Sequence, residues 1–170
     1  GNYNTAINGS FTCCSLTVNA GNTAIIGANT YINTLGDITI SGTLNVLNNG
    51  SLIQVDDAAI NTGNISYERT VSIRKSDYVY WSSPLTNANL ATTFAGWRLD
   101  YAFQFVTPNF EDLLTINNLG VVTAATSDTF DDYAPWAWQP YTGVMTPGKG
   151  YAIMAPTSGT FPRTETRTFT

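Results

Sequence analysis

Residues 16–46 read LTVNAGNTAIIGANTYINTLGDITISGTLNV, and the fold turns on how the apolar residues recur along it. Leu16 and Ile38 lie 22 residues apart, as do Val18 and Ile40. The same step leads from Ile38 to Ile60 and from Ile25 to Leu47. Short apolar pairs (Leu16/Val18, Ile25/Ile26, Ile38/Ile40, Leu44/Val46, Leu52/Ile53) stand between Gly and Asn. A repeat near twenty residues built this way describes a parallel β-helix, whose coils stack because none can bury its apolar face alone. Asn suits the corners, since it tolerates the left-handed backbone region and bonds its own main chain. A run of hairpins is the competing reading, because Asn49-Gly50 also fits a type I′ turn. The regular spacing favours the β-helix.

The pattern stops where the composition changes. The first 65 residues hold twelve Asn, no Trp, no Pro and Phe only at Phe11, whereas all four Trp and all seven Pro follow Tyr67. Beyond that point Tyr78 and Tyr80 alternate with Val79 and Trp81, and Tyr101, Phe103 and Phe105 with Ala102, Gln104 and Val106. This is strand patterning of period two. Trp136 and Trp138 share one strand face, Tyr151–Met154 and Thr164–Thr170 read as further strands, and only Phe110–Ile116 suggests a helical turn. The expectation is an all-β chain in two parts. Residues 1–66 form a short parallel β-helix (solenoid) segment with an N-terminal cap, and residues 67–170 an antiparallel β-sandwich.

Composition excludes several chemistries. The net charge is −5 and charged residues are 11% of the chain, a poor surface for neutralising nucleic-acid phosphates. The basic residues form no run. There is no His, which removes the commonest general base and zinc ligand together. No apolar run approaches the ~20 residues that span a bilayer, so membrane insertion is not expected. Gly1-Asn-Tyr-Asn4 is polar, so no leader is expected and the chain reads as a mature piece of something longer. Cys13 and Cys14 are adjacent. On a strand one side chain would point inward and one outward, and a bridge between neighbours would be strained.

Three patterns bear on function. Gly143–Gly150 reads GVMTPGKG, one residue short of a P-loop, but Gly150 stands where the Mg²⁺-binding hydroxyl belongs. A strand-like segment follows instead of a helix, so a turn is expected and no nucleotide site. Asp128, Asp131 and Asp132 in SDTFDD could place three oxygens around a Ca²⁺, although no EF-hand spacing is present and a solvated acidic loop is the commoner outcome for such a run. Trp81, Trp97, Trp136 and Trp138 could form a platform for sugar rings, or fill the sandwich core as large aromatics commonly do. Other carboxylates come as neighbours in sequence, such as Asp56/Asp57, which would diverge on strands. No catalytic residues and no cofactor other than calcium are therefore expected.

Four segments occur in order: Gly50-Ser-Leu-Ile-Gln54, Ile65-Ser-Tyr-Glu-Arg-Thr70, Tyr80-Trp-Ser-Ser-Pro84 and Met145-Thr-Pro-Gly-Lys-Gly-Tyr151. Together they resemble modules of large secreted and cell-surface proteins of Bacteroidota exported by the type IX secretion system. The resemblance covers residues 16–170. It implies a non-enzymatic, extracellular structural or adhesive module, often beside adhesin-like repeats, and it supplies no catalytic residues. A carbohydrate-binding module attached to a secreted polysaccharide hydrolase is the alternative. The expected partners are other domains or subunits of a surface assembly, and glycans. The strand-like Thr164-Glu-Thr-Arg-Thr-Phe-Thr170 ends without a turn, as an edge open to pairing would.

Overall fold

Aliphatic side chains spaced along a Gly- and Asn-cornered chain do stack as coils. A computed structural model describes residues 1–109, 114–116, 122–124 and 137–170. The first coil comprises β1 (Tyr3–Asn4), a helical turn α1 (Thr5–Asn8), β2 (Phe11–Cys13) and β3 (Leu16–Val18). The second comprises β4 (Thr23–Ile26), β5 (Tyr31–Thr34) and β6 (Ile38–Ile40). In the third, β7 (Thr43–Val46) and β8 (Ser51–Gln54) are followed only by Thr62, which bridges Thr39. Every pairing between coils is parallel: β1-β4-β7 on one side, β2-β5-β8 on the second and β3-β6 on the third. This is the parallel β-helix.

Alternation within each short strand sends every second residue inward, and the coils stack these into rows. Leu16 lies beside Ile38, Val18 beside Ile40, Ala24 beside Leu44 and Ile32 between Phe11 and Leu52. Ile26, Ile32, Leu44 and Val46 are fully buried. Truncating such residues to Ala costs about 2–5 kcal/mol, so the rows set the register. Cys13 continues a row toward Thr34 while Cys14 is exposed, and both thiols are free. Asn29 and Asn49 take corner positions with φ of 60° and 63°. Asn49-Gly50 is thus a coil corner rather than a hairpin turn.

Two expected alignments differ. Ile25 pairs with Asn45 rather than Leu47, because the second and third coils are offset by 20 residues on this side. Ile60 does not follow Ile38: it is 74% exposed, and the bridge from Thr39 to Thr62 puts Asn61 next in the row. The chain between β8 and Thr62 loops outward, adding a residue to the step. At the other end, residues 1–11, expected as a cap, form the opening part of the first coil. Helical turn α1 packs Ala6 against Gly27, where any Cβ would collide with it, and buried Thr5 accepts from the Gly27 N–H at 2.9 Å.

The β-helix passes into the second unit through one strand. β9 (Ser66–Ile73) starts parallel to β7, Ser66 on Asn45 and Tyr67 on Val46. It then runs antiparallel along β16 (Arg163–Phe169), from Phe169 opposite Tyr67 to Arg163 opposite Ile73. One five-stranded sheet, β1-β4-β7-β9-β16, therefore spans both units. A second, antiparallel sheet has the order β10 (Tyr78–Trp81), β15 (Tyr151–Met154), β11 (Arg98–Phe105), β14 (Trp138–Pro140). Ile73 and Phe169 from the first sheet pack with Trp97, Ala102, Tyr151 and Ile153, forming the sandwich core.

Helical turns occur where none was expected. Besides α1, α2 (Leu90–Thr93) is capped by Asn89, whose side chain accepts from the Thr92 N–H, and it delivers Leu90 and Phe94 into the core. The helical turn expected over 110–116 is absent at its end, where β12 (Leu114–Ile116) pairs antiparallel with β13 (Val122–Ala124). Residues 110–113 lie outside the described residues. β16 is an edge strand, as expected of the Thr-rich segment. No helix among the described residues is long and apolar enough to cross a membrane.

Candidate functional site

Cross-strand partners share one face of a sheet, so the register of the second sheet fixes which rings gather outside. Tyr80 and Phe103 both lie opposite Ala152, Tyr78 opposite Met154, and Phe105 opposite Trp138. All of these share the face turned away from the sandwich core. The small Ala152 side chain leaves room for rings from the flanking strands to lean together. Tyr78 and Phe103 come to 6.3 Å between centroids, Tyr80 and Trp138 to 6.0 Å, and Phe105 and Trp138 to 5.2 Å at 66°. Tyr80 is 70% exposed. At the margin the Arg98 guanidinium lies 4.5 Å from the Tyr101 ring and bonds Asp100 with two nitrogens. That pairing holds the Asp100 carboxyl below its ordinary range, while burial, then the neighbouring Tyr101 and Tyr80, push the Tyr78 phenol up.

Of the three candidate platform tryptophans among the described residues, only Trp138 lies there. Trp97 is 5% exposed, inside the core. Trp81 points to the same interior, its ring 5.0 Å from Phe94, 6.3 Å from Trp97 and 6.0 Å from Phe169. The alternation within β10 explains this: with Tyr78 and Tyr80 outward, Trp81 must face in. Trp97 donates its indole N–H to Glu165 Oε2 at 2.7 Å, and the same carboxylate pairs with Arg163 and Arg167. Trp136 lies outside the described residues, as do Asp128, Asp131 and Asp132. Among the described residues no group of three His, Cys, Asp or Glu side chains could hold a metal.

The GVMTPGKG segment is a connection between β14 and β15. Pro147-Gly148 makes a turn with Gly148 at φ 77°, and strand β15 follows at once. Lys149 Nζ donates to Gln104 Oε1 at 2.6 Å, and the Thr146 N–H donates to the Tyr151 hydroxyl at 2.8 Å. A phosphate loop needs a helix N-terminus aimed at the anion, and a strand provides none.

A family model described as "Domain of unknown function (DUF8693)" matches residues 1–170. The chain belongs to the DUF8693 family. No curated protein and no solved structure matches it.

What the aromatic face of this DUF8693 chain offers is shape and apolar area rather than reactive groups. Its rings could take the C–H faces of sugars or another flat apolar surface. Sequence reasoning named Trp138 but missed Tyr78, Tyr80, Phe103 and Phe105 as its neighbours. The signal was present in the two runs of alternating aromatics. What was missing was the strand order that sets β10 and β11 either side of Ala152.

Proposed function

We propose that this chain is a non-enzymatic structural or adhesive module of an extracellular bacterial surface protein, a stiff spacer spliced to a sandwich head. The carrying observation is Tyr67. It pairs parallel with Val46 on one side and antiparallel with Phe169 on the other, and packs into the hydrophobic cores of both units. A hydrogen-bonded sheet continued across a junction resists shear as a set, whereas a peptide linker transmits load through one chain. The resemblance to type IX-exported modules supports the extracellular placement. Pulling between the two termini in a force experiment is expected to give one unfolding event for both units. Two well-separated events, one for each unit, would overturn the spliced-spacer reading.

The contact of exposed Tyr80 with half-buried Trp138 favours a second reading, a carbohydrate-binding module whose aromatic face lies along a glycan chain. Replacing both residues with Ala should abolish retention on immobilised polysaccharides while leaving the melting temperature within a few degrees. Retention unchanged by the double substitution would remove that reading.

A further inference from the structure

The third coil is closed by two amides. Gln54 Nε2 donates to Asn61 Oδ1 at 2.8 Å and to the Gly36 carbonyl at 2.9 Å, while Asn61 Nδ2 donates back to Gln54 Oε1 at 2.7 Å. Asn61 Oδ1 also accepts from the Ile38 N–H at 3.0 Å. Each amide has two donor hydrogens and two acceptor lone pairs. Gln54 Nε2 and Asn61 Oδ1 are therefore saturated, leaving one Asn61 N–H and one Gln54 Oε1 lone pair close together.

Both residues line a cleft of about 580 Å³ between the end of the β-helix and the loop after β10. That lies within the ~300–1,000 Å³ of small-molecule sites. Ile65, Tyr67 and Leu85 supply apolar wall, Thr62 and Thr86 hydroxyls, and among the described residues no charged side chain lines it. The cleft exists because the third coil has no full strand on its third side.

From this arrangement we infer that the cleft binds a neutral sugar of one or two rings. A sugar hydroxyl both donates and accepts, so it can satisfy the open N–H and the open lone pair together. The C–H faces of the ring match the aliphatic walls. A phosphate or carboxylate ligand would enter with no cation to meet it, and a purely apolar one would leave the amide groups without partners. The cleft is separate from the aromatic face, and the inference stands whether or not the spacer reading holds.

Titration of the ¹⁵N-labelled chain with lactose, cellobiose and maltose, with galacturonic acid as the charged control, tests it. At least one neutral disaccharide should give saturable shifts at the Asn61, Thr62 and Thr86 amides, with a dissociation constant of about 1 mM, the scale of a small site with few directed bonds. Leu85→Trp puts a larger ring into the cleft and leaves Gln54 and Asn61 themselves unsubstituted. It should weaken that binding by about tenfold or more while the remaining spectrum stays native. Shifts confined to the aromatic face, equal binding of galacturonic acid, undiminished binding by the folded Leu85→Trp chain, or no saturable shifts would each overturn the proposal.

Discussion

The indole N–H of Trp97 bonds Glu165 Oε2 at 2.7 Å and ties the loop after α2 to the last strand, β16. The carboxylate lies among Trp97, Arg163 and Arg167, and the Arg167 guanidinium sits 5.2 Å from the Trp97 ring. Burial, followed by repulsion from Arg163, pushes Arg167 below its ordinary value, so Glu165 offsets an unfavourable pairing of cations.

Trp97→Phe keeps most of the ring in the core and removes one hydrogen bond to a charged group. A loss of about 1.5–3 kcal/mol is expected, read as a lower urea midpoint at unchanged slope. An unchanged midpoint would mean that the bond contributes nothing net.

Gly63 and Gly148 both have left-handed backbones, with φ of 88° and 77°. A Cβ on Gly63 would overlap the carbonyl oxygen of Ile40, whereas one on Gly148 meets nothing within 4 Å. Gly148→Ala should therefore cost about 1 kcal/mol from backbone strain alone. Gly63→Ala must in addition displace the end of the third coil, and should lower the melting temperature several times further. Equal losses in the two variants would contradict the packing described at Ile40.

Asp100 supplies a pH test. Its carboxyl is held below the ordinary range first by hydrogen bonding from Arg98, so the folded state binds that proton more weakly than the unfolded chain does. The resulting stability is present above the unfolded value, near pH 4, and is lost as the pH falls through the lower folded value. The group is exposed and the effect on stability small, so the direct reading is carboxyl ¹³C titration by NMR. Arg98→Gln should return the Asp100 midpoint to its ordinary range, and a midpoint that does not move would show that Arg98 is not the cause.

Much of the β-helix was legible in the sequence. Leu16 and Val18 repeat as Ile38 and Ile40 because residues stacked on one row face the same apolar interior, and that constraint appears directly as spacing. The same logic failed at Ile25 and Ile60, since coil length is set by corners that can lose or gain a residue. There, backbone hydrogen bonds between coils decided the register, and they placed Asn61 rather than Ile60 after Ile38. Alternation in the second unit revealed strands but not their order.

The sequence by itself determined the strand character and the turn at Pro147-Gly148. Both follow from short-range backbone preferences and side-chain periodicity. Only the tertiary structure decided that Trp81 and Trp97 are core while Tyr80 and Trp138 meet outside. It alone brought Gln54 to Asn61 and made β9 common to both units. Those outcomes depend on which strands become neighbours, a question of packing between segments far apart in the chain, and no local spacing encodes it.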